Sequence, residues 1–127
     1  MKDAPRAHRL SPTEWVLFWG PVLVWAAFIF WLSTIAHLRF LKNWWDYPVR
    51  KLGHMFVFGI FARLVARALT GCTLWPWKRI FLAAIVFTCL YAATDEYHQT
   101  FTPGRHGSPV DVVIDTVGAW TALGLRP

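Results

Sequence analysis

Residues 15–36 read WVLFWGPVLVWAAFIFWLSTIA, and no Asp, Glu, Lys or Arg interrupts them. About 20 mainly apolar residues suffice to carry a helix across the hydrocarbon core of a bilayer, so this stretch is long enough by itself. It sets the fold class as an all-α membrane protein. Lys2, Arg6 and Arg9 precede the run in the manner of a secretory signal, yet the run is longer than the roughly 7–15 residues of a signal h-region. A retained spanning helix is the better fit.

Outward from this segment, three weaker apolar stretches follow, at about Leu52–Leu69, Ile80–Thr94 and Pro109–Leu125. Together they predict four transmembrane helices in a compact bundle with a polar crevice at one face. The helices are expected near 14–37, 50–69, 78–99 and 109–125, with residues 1–12 as a cytoplasmic tail and 13–127 as one membrane domain. Pro21 predicts a kink, or a helix that starts at Gly20-Pro21. Gly71 and the Trp75-Pro76-Trp77 turn mark the break between the second and third helices.

The rest of the composition agrees with a bilayer setting. Of 127 residues, 56% are hydrophobic, and nine are Trp and ten Phe, an aromatic load that suits the membrane interface. In a soluble chain a net charge of +6 would suggest nucleic acid. Here the basic residues sit mainly between apolar segments, where topology and anionic headgroups account for them, and no nucleic-acid partner is expected. Lys2, Arg6, Arg9, Arg63, Arg67, Lys78, Arg79 and Arg126 fall on one side, and Arg39, Lys42, Arg50, Lys51 and Arg105 on the other. The larger set faces the cytoplasm by the positive-inside rule, which predicts cytoplasmic termini. Cys72 lies in a loop and Cys89 in mid-helix, so they should sit at different depths and form no disulfide framework.

Four spans force the end of the first helix, the start of the second, the end of the third and the start of the fourth onto one side, whichever way the chain is oriented. The unusual polar residues occur at those ends: Ser33 and His37, then Lys51 and His54, then Asp95, Glu96, His98 and Gln99, then Arg105, Ser108, Asp111 and Asp115. Helical spacing places Asp95, His98 and Gln99 on one face, Lys51 and His54 on another, and Asp111, Asp115 and Gly118 in one stripe. Ionisable groups at membrane depth normally face a bundle interior or a water-filled cavity.

Each residue also has a plain structural use. Ser108-Pro109-Val110-Asp111 resembles an N-cap, with the acid at the third helical position, so Asp111 is as well explained by capping as by chemistry. Asp115 sits one turn deeper, where a second like charge needs a cation, the helix dipole or a shared proton to offset it. Arg105 is presented by Thr102-Pro103-Gly104, either to pair with Asp95, Asp111 or Asp115 or to take a phosphate or carboxylate headgroup in bidentate fashion. Lys51 reads as an interfacial anchor. Asp95, Glu96, His98 and His54 are the candidates for acid/base work, and Arg105, Lys51, Gln99, Asp115, Asp111 and Ser108 for ligand binding. No metal signature such as HExxH or CxxC is present. Carboxylate and imidazole three residues apart still recur in bundle metal sites, which leaves a divalent metal open, with Asp95, His98 and Asp115 as its candidate ligands and His54 as a further imidazole that could join the acids.

The string Asp95-Glu96-Tyr97-His98-Gln99, then Phe101, Pro103-Gly104-Arg105, Ser108, Asp111 and Gly118, closely resembles the signature of the VanZ-like family, and Lys51, His54 and Phe58 match its upstream segment. The resemblance covers roughly Ser33 to Leu125. It implies a multi-pass protein of the bacterial cytoplasmic membrane, from a family named after a factor associated with resistance to the glycopeptide teicoplanin. Asp115 departs from the pattern, where the family more often has Asn, and this favours cation or proton binding. The function expected is binding or shielding of an anionic or glycosylated cell-envelope amphiphile, the partner being a membrane lipid or lipid-linked envelope molecule. Two alternatives stay open: a membrane-embedded hydrolase or transferase, metal-dependent or not, acting on a lipid-linked substrate, and a small proton-coupled transporter.

Overall fold

In a computed structural model that describes residues 9–35 and 41–125, four helices follow one another: α1 (Pro12–Thr34), α2 (Asp46–Cys72), α3 (Trp77–Gln99) and α4 (Pro109–Gly124). Ser11 starts α1 with a capping box, its hydroxyl accepting from the Glu14 amide at 3.2 Å while the Glu14 carboxylate accepts from the Ser11 amide at 2.7 Å. The helix runs through Pro21 without a break. A proline has no N–H, so the carbonyl of Leu17, four residues earlier, loses its helical donor. Arg67 of α2 supplies the replacement, donating to the Leu17 carbonyl at 3.2 Å. One arginine thus satisfies the gap left by Pro21 and ties the far end of α2 to α1.

Both ends of α2 lie beyond the segment expected from hydropathy. The charged, proline-containing Asp46-Tyr47-Pro48 reads as a connection, but a proline in the first helical turn removes only an N–H that has no helical acceptor, and α2 starts at Asp46. At the other end the helix continues through Gly71 to Cys72. A side chain at Gly71 would place its Cβ 2.2 Å from the Phe18 ring, so this glycine serves close packing on α1. The first helix stops at Thr34, and His37 lies outside the described residues.

α2 is the hub, packing on α1, α3 and α4, whereas α1 packs mainly on α2 and α3. The core around it draws Val22 and Ile29 from α1, Phe58, Phe61 and Val65 from α2, Ala84 and Ala92 from α3, and Ala119 and Leu123 from α4. Small residues bring α2 and α4 together most closely. A Cβ on Gly118 would lie 2.5 Å from the Met55 carbonyl oxygen, and one on Gly59 would lie 3.3 Å from the Gly118 carbonyl, the backbone approach that small residues permit between membrane helices. Two cross-helix bonds add to the packing: Trp25 Nε1 donates to the Val57 carbonyl at 2.9 Å and the Tyr91 hydroxyl to the Ala26 carbonyl at 2.6 Å.

Three of the helices, α1, α2 and α3, are long and apolar enough to cross a membrane, which marks the chain as a membrane protein. α4 differs. Its 16 residues include Asp111 and Asp115, and at about 1.5 Å per residue it falls short of a hydrocarbon core about 30 Å thick.

Candidate functional site

The polar ends of the four helices meet through specific bonds. On α3, Asp95 and Gln99 are one turn apart and joined, the Gln99 amide donating to Asp95 Oδ2 at 3.0 Å, and both are buried. His98 turns towards α1, where its Nδ1 lies 3.1 Å from the Ser33 hydroxyl and its ring stacks on Phe30 at 4.3 Å.

The α3–α4 connection folds over this region because two glycines allow it. Gly104 has a φ of 78°, a left-handed conformation that L side chains rarely adopt. At Gly107 a Cβ would lie 2.5 Å from the Glu96 carbonyl oxygen, so only a glycine lets the loop lie against α3 here. Arg105 then reaches α1, its Nη1 donating to the Leu32 carbonyl at 3.1 Å and the Ile35 carbonyl at 3.3 Å. Leu32 lies in the last turn of α1 and Ile35 is its C-cap, where carbonyls lack the usual i+4 helical donor; the Leu32 carbonyl also accepts from the Ile35 amide at 3.3 Å. Thr102 reinforces the dock, donating to the Ser33 carbonyl at 3.2 Å. Among the described residues Arg105 makes no ion pair with a carboxylate. Burial pulls its pKa below the usual arginine value, while the charge of Asp95 acts in the opposite direction.

Ser108 caps α4 by accepting from the Val110 amide at 3.2 Å. The acceptor for the Ser108 amide comes from α3, as Glu96 Oε2 at 3.0 Å. Asp111, the residue placed to close a capping box, pairs instead with Lys51 of α2. One turn deeper, His54 Nδ1 lies 3.4 Å from Asp115 Oδ1, within ion-pairing distance but outside hydrogen-bond geometry. The side chain of Asp115 is wholly buried, and neither carboxylate oxygen has a hydrogen-bond partner. Glu96 Oε1 and Asp95 Oδ1 are buried and unpartnered too. Ligand atoms of His54, Glu96 and Asp115 all lie within 4.8 Å of one another.

Beside this group lies a cavity of about 110 Å³ between α1, α2 and α3 and under the α3–α4 loop. Ile29, Leu32, Val57 and Phe58 form its apolar wall, and Ser33, Arg50, His54, Asp95, Gln99 and Arg105 bring polar atoms to it. His54 therefore belongs both to the cavity wall and to the buried acid cluster.

The sequence matches the VanZ/LLP1 family over residues 8–126. The chain belongs to that family. The match includes every residue of the cavity and of the acid cluster. No curated protein and no solved structure shows significant similarity to this VanZ/LLP1 member.

Of the candidates read from the sequence of this VanZ/LLP1 chain, Arg105, Gln99, Asp95 and His54 line the cavity. Lys51, Asp111 and Ser108 stand in the α2–α4 and α3–α4 bridges. Among the described residues the set close enough to share an ion is His54, Glu96 and Asp115, which includes Asp115 and His54 from the expected ligands and not Asp95 or His98; Glu96 faces α4 and His98 turns towards α1. Arg50 went unnoticed as a site residue. Its signal was a helical face, since Arg50, Gly53, His54 and Val57 follow the spacing of one side of α2.

Proposed function

We propose that this protein sits in the bacterial cytoplasmic membrane with its termini inside, that α4 completes a four-helix membrane bundle, and that the cavity receives the anionic headgroup of a cell-envelope amphiphile. The observation that carries this reading is that Arg50 and Arg105 line one cavity with the apolar side chains of Ile29, Leu32, Val57 and Phe58, beside the polar ones of Ser33, His54, Asp95 and Gln99. Guanidinium groups are suited to phosphate and carboxylate, and an apolar wall accommodates the adjoining chain of a lipid. Arg105 uses Nη1 on α1 carbonyls, which holds the group in place and leaves its remaining N–H donors for a ligand. By sequestering such a headgroup the protein would alter access of lipophilic glycopeptides to the outer leaflet, in keeping with the name of its family.

The test is binding of the purified protein to a polyprenyl phosphate and, separately, to phosphatidylglycerol, each diluted in phosphatidylcholine nanodiscs. Binding above that of phosphatidylcholine alone is expected, weakened in both Arg50→Gln and Arg105→Gln. Unchanged binding by both variants removes the main support for this reading. The second reading, a hydrolase or transferase on a lipid-linked substrate, is favoured by one observation: His54 touches the cavity and the buried acids at once.

A further inference from the structure

We infer that His54, Glu96 and Asp115 form a site for one divalent transition-metal ion next to the headgroup cavity. The three residues come from α2, α3 and α4 and converge with ligand atoms within 4.8 Å of one another. The 3.4 Å between His54 Nδ1 and Asp115 Oδ1 is about the ligand–ligand edge of a tetrahedron with metal–ligand bonds of about 2.0–2.1 Å. Small movements of the Glu96 carboxylate would bring in the third ligand.

The independent observation is the state of Asp115. It is completely buried, yet neither oxygen accepts a hydrogen bond, and Glu96 Oε1 beside it is likewise buried and unpartnered. A buried carboxylate oxygen with no donor is costly unless a charge compensates it. Histidine is the one positively chargeable neighbour in contact with Asp115, and it does not approach in hydrogen-bond geometry. The wider charge balance points the same way. In ionised form Asp95, Glu96, Asp111 and Asp115 carry four negative charges, and Lys51 and Arg105 supply two positive ones. Arg50 is engaged with Asp46 at 2.8 Å. With His54 neutral as a ligand and His98 neutral, a divalent cation matches the two charges left over.

Ligand chemistry selects the ion. One imidazole and two carboxylates suit zinc, manganese or iron better than calcium or magnesium, which favour all-oxygen shells. Glu96 Oε2 is already held by the Ser108 amide at 3.0 Å, the kind of outer bond that orients a ligating carboxylate. With three protein ligands the ion would keep an open position for water or a headgroup oxygen.

The test uses the full-length protein in detergent, stripped with chelator, desalted and given Zn²⁺ or Co²⁺ with no lipid present. One zinc per chain should survive a second desalting, and the cobalt form should show visible ligand-field bands. Glu96→Gln keeps an acceptor for the Ser108 amide and Asp115→Asn is nearly isosteric, so both should elute as folded protein. Each should weaken zinc binding by at least the about 10–100-fold typical of outer-shell changes, whereas His98→Ala should leave it intact. Substoichiometric zinc and a colourless cobalt form in the unmodified protein would overturn the site without any variant. Loss of metal in His98→Ala but not in Glu96→Gln would overturn this ligand set. Because no lipid is involved, neither result depends on the headgroup reading.

Discussion

The amide of Ser108 donates to the Glu96 carboxylate at 3.0 Å, so the first turn of α4 is capped by a side chain of α3. Removing the acceptor strands a half-buried donor. Glu96→Ala is expected to lower stability by about 1–3 kcal/mol, whereas Glu96→Gln, which retains a carbonyl oxygen, should unfold close to the unmodified protein. Denaturation in mixed micelles, followed by far-ultraviolet circular dichroism, separates the two; equal losses would mean that the bond contributes nothing.

Lys51 and Asp111 bridge α2 to α4 with both side chains largely shielded. A double-mutant cycle over Lys51→Met and Asp111→Asn should give a coupling of about 0.5–3 kcal/mol, the range for residues in contact. Each single variant leaves one charge without its partner, so the double variant should be more stable than the sum of the singles implies. Additive losses would identify the pair as a surface contact of no consequence.

Two glycines of the bundle should respond in opposite directions to alanine. At Gly118 the new Cβ meets the Met55 backbone at 2.5 Å, and overpacking of this kind costs about 1–3 kcal/mol. At Gly53 nothing lies within 4 Å of the added Cβ, so Gly53→Ala should gain the about 0.5–1 kcal/mol by which alanine exceeds glycine in a helix. Thermal unfolding of the two variants side by side is the measurement.

The proposed topology, with cytoplasmic termini, would put the α2–α3 connection in the cytoplasm and the α3–α4 loop outside. Native Cys72 should then react with a membrane-impermeant maleimide only in inverted vesicles. In a Cys72→Ser background, a cysteine replacing the exposed His106 should react in intact cells. The reverse pattern would invert the topology.

Much of this architecture was legible along single helices, and little of it between them. The uninterrupted apolar run before Ala36 announces α1, and i, i+3, i+4 spacing puts Asp95 beside Gln99, the bond that forms. The start of α2 was hidden because proline and charge look like a loop, although neither disturbs a first helical turn. Rotation of one helix against another has no local signal. Hence nothing in the Asp95-Glu96 pair discloses that the first faces the cavity and the second α4. Arg105 offers the same lesson: its partners, the Leu32 and Ile35 carbonyls, are backbone groups that no side-chain pattern reveals.

The Met55–Gly118 contact also bears on how the protein is assembled. α4 is too short and too acidic to find a depth in the bilayer by its own partitioning. Its register against α2 is set by backbone touching backbone, so its placement depends on α2. The acids of α4 would then reach their place as passengers of a neighbouring helix, and a side chain at Gly118 would loosen the docking of the last segment.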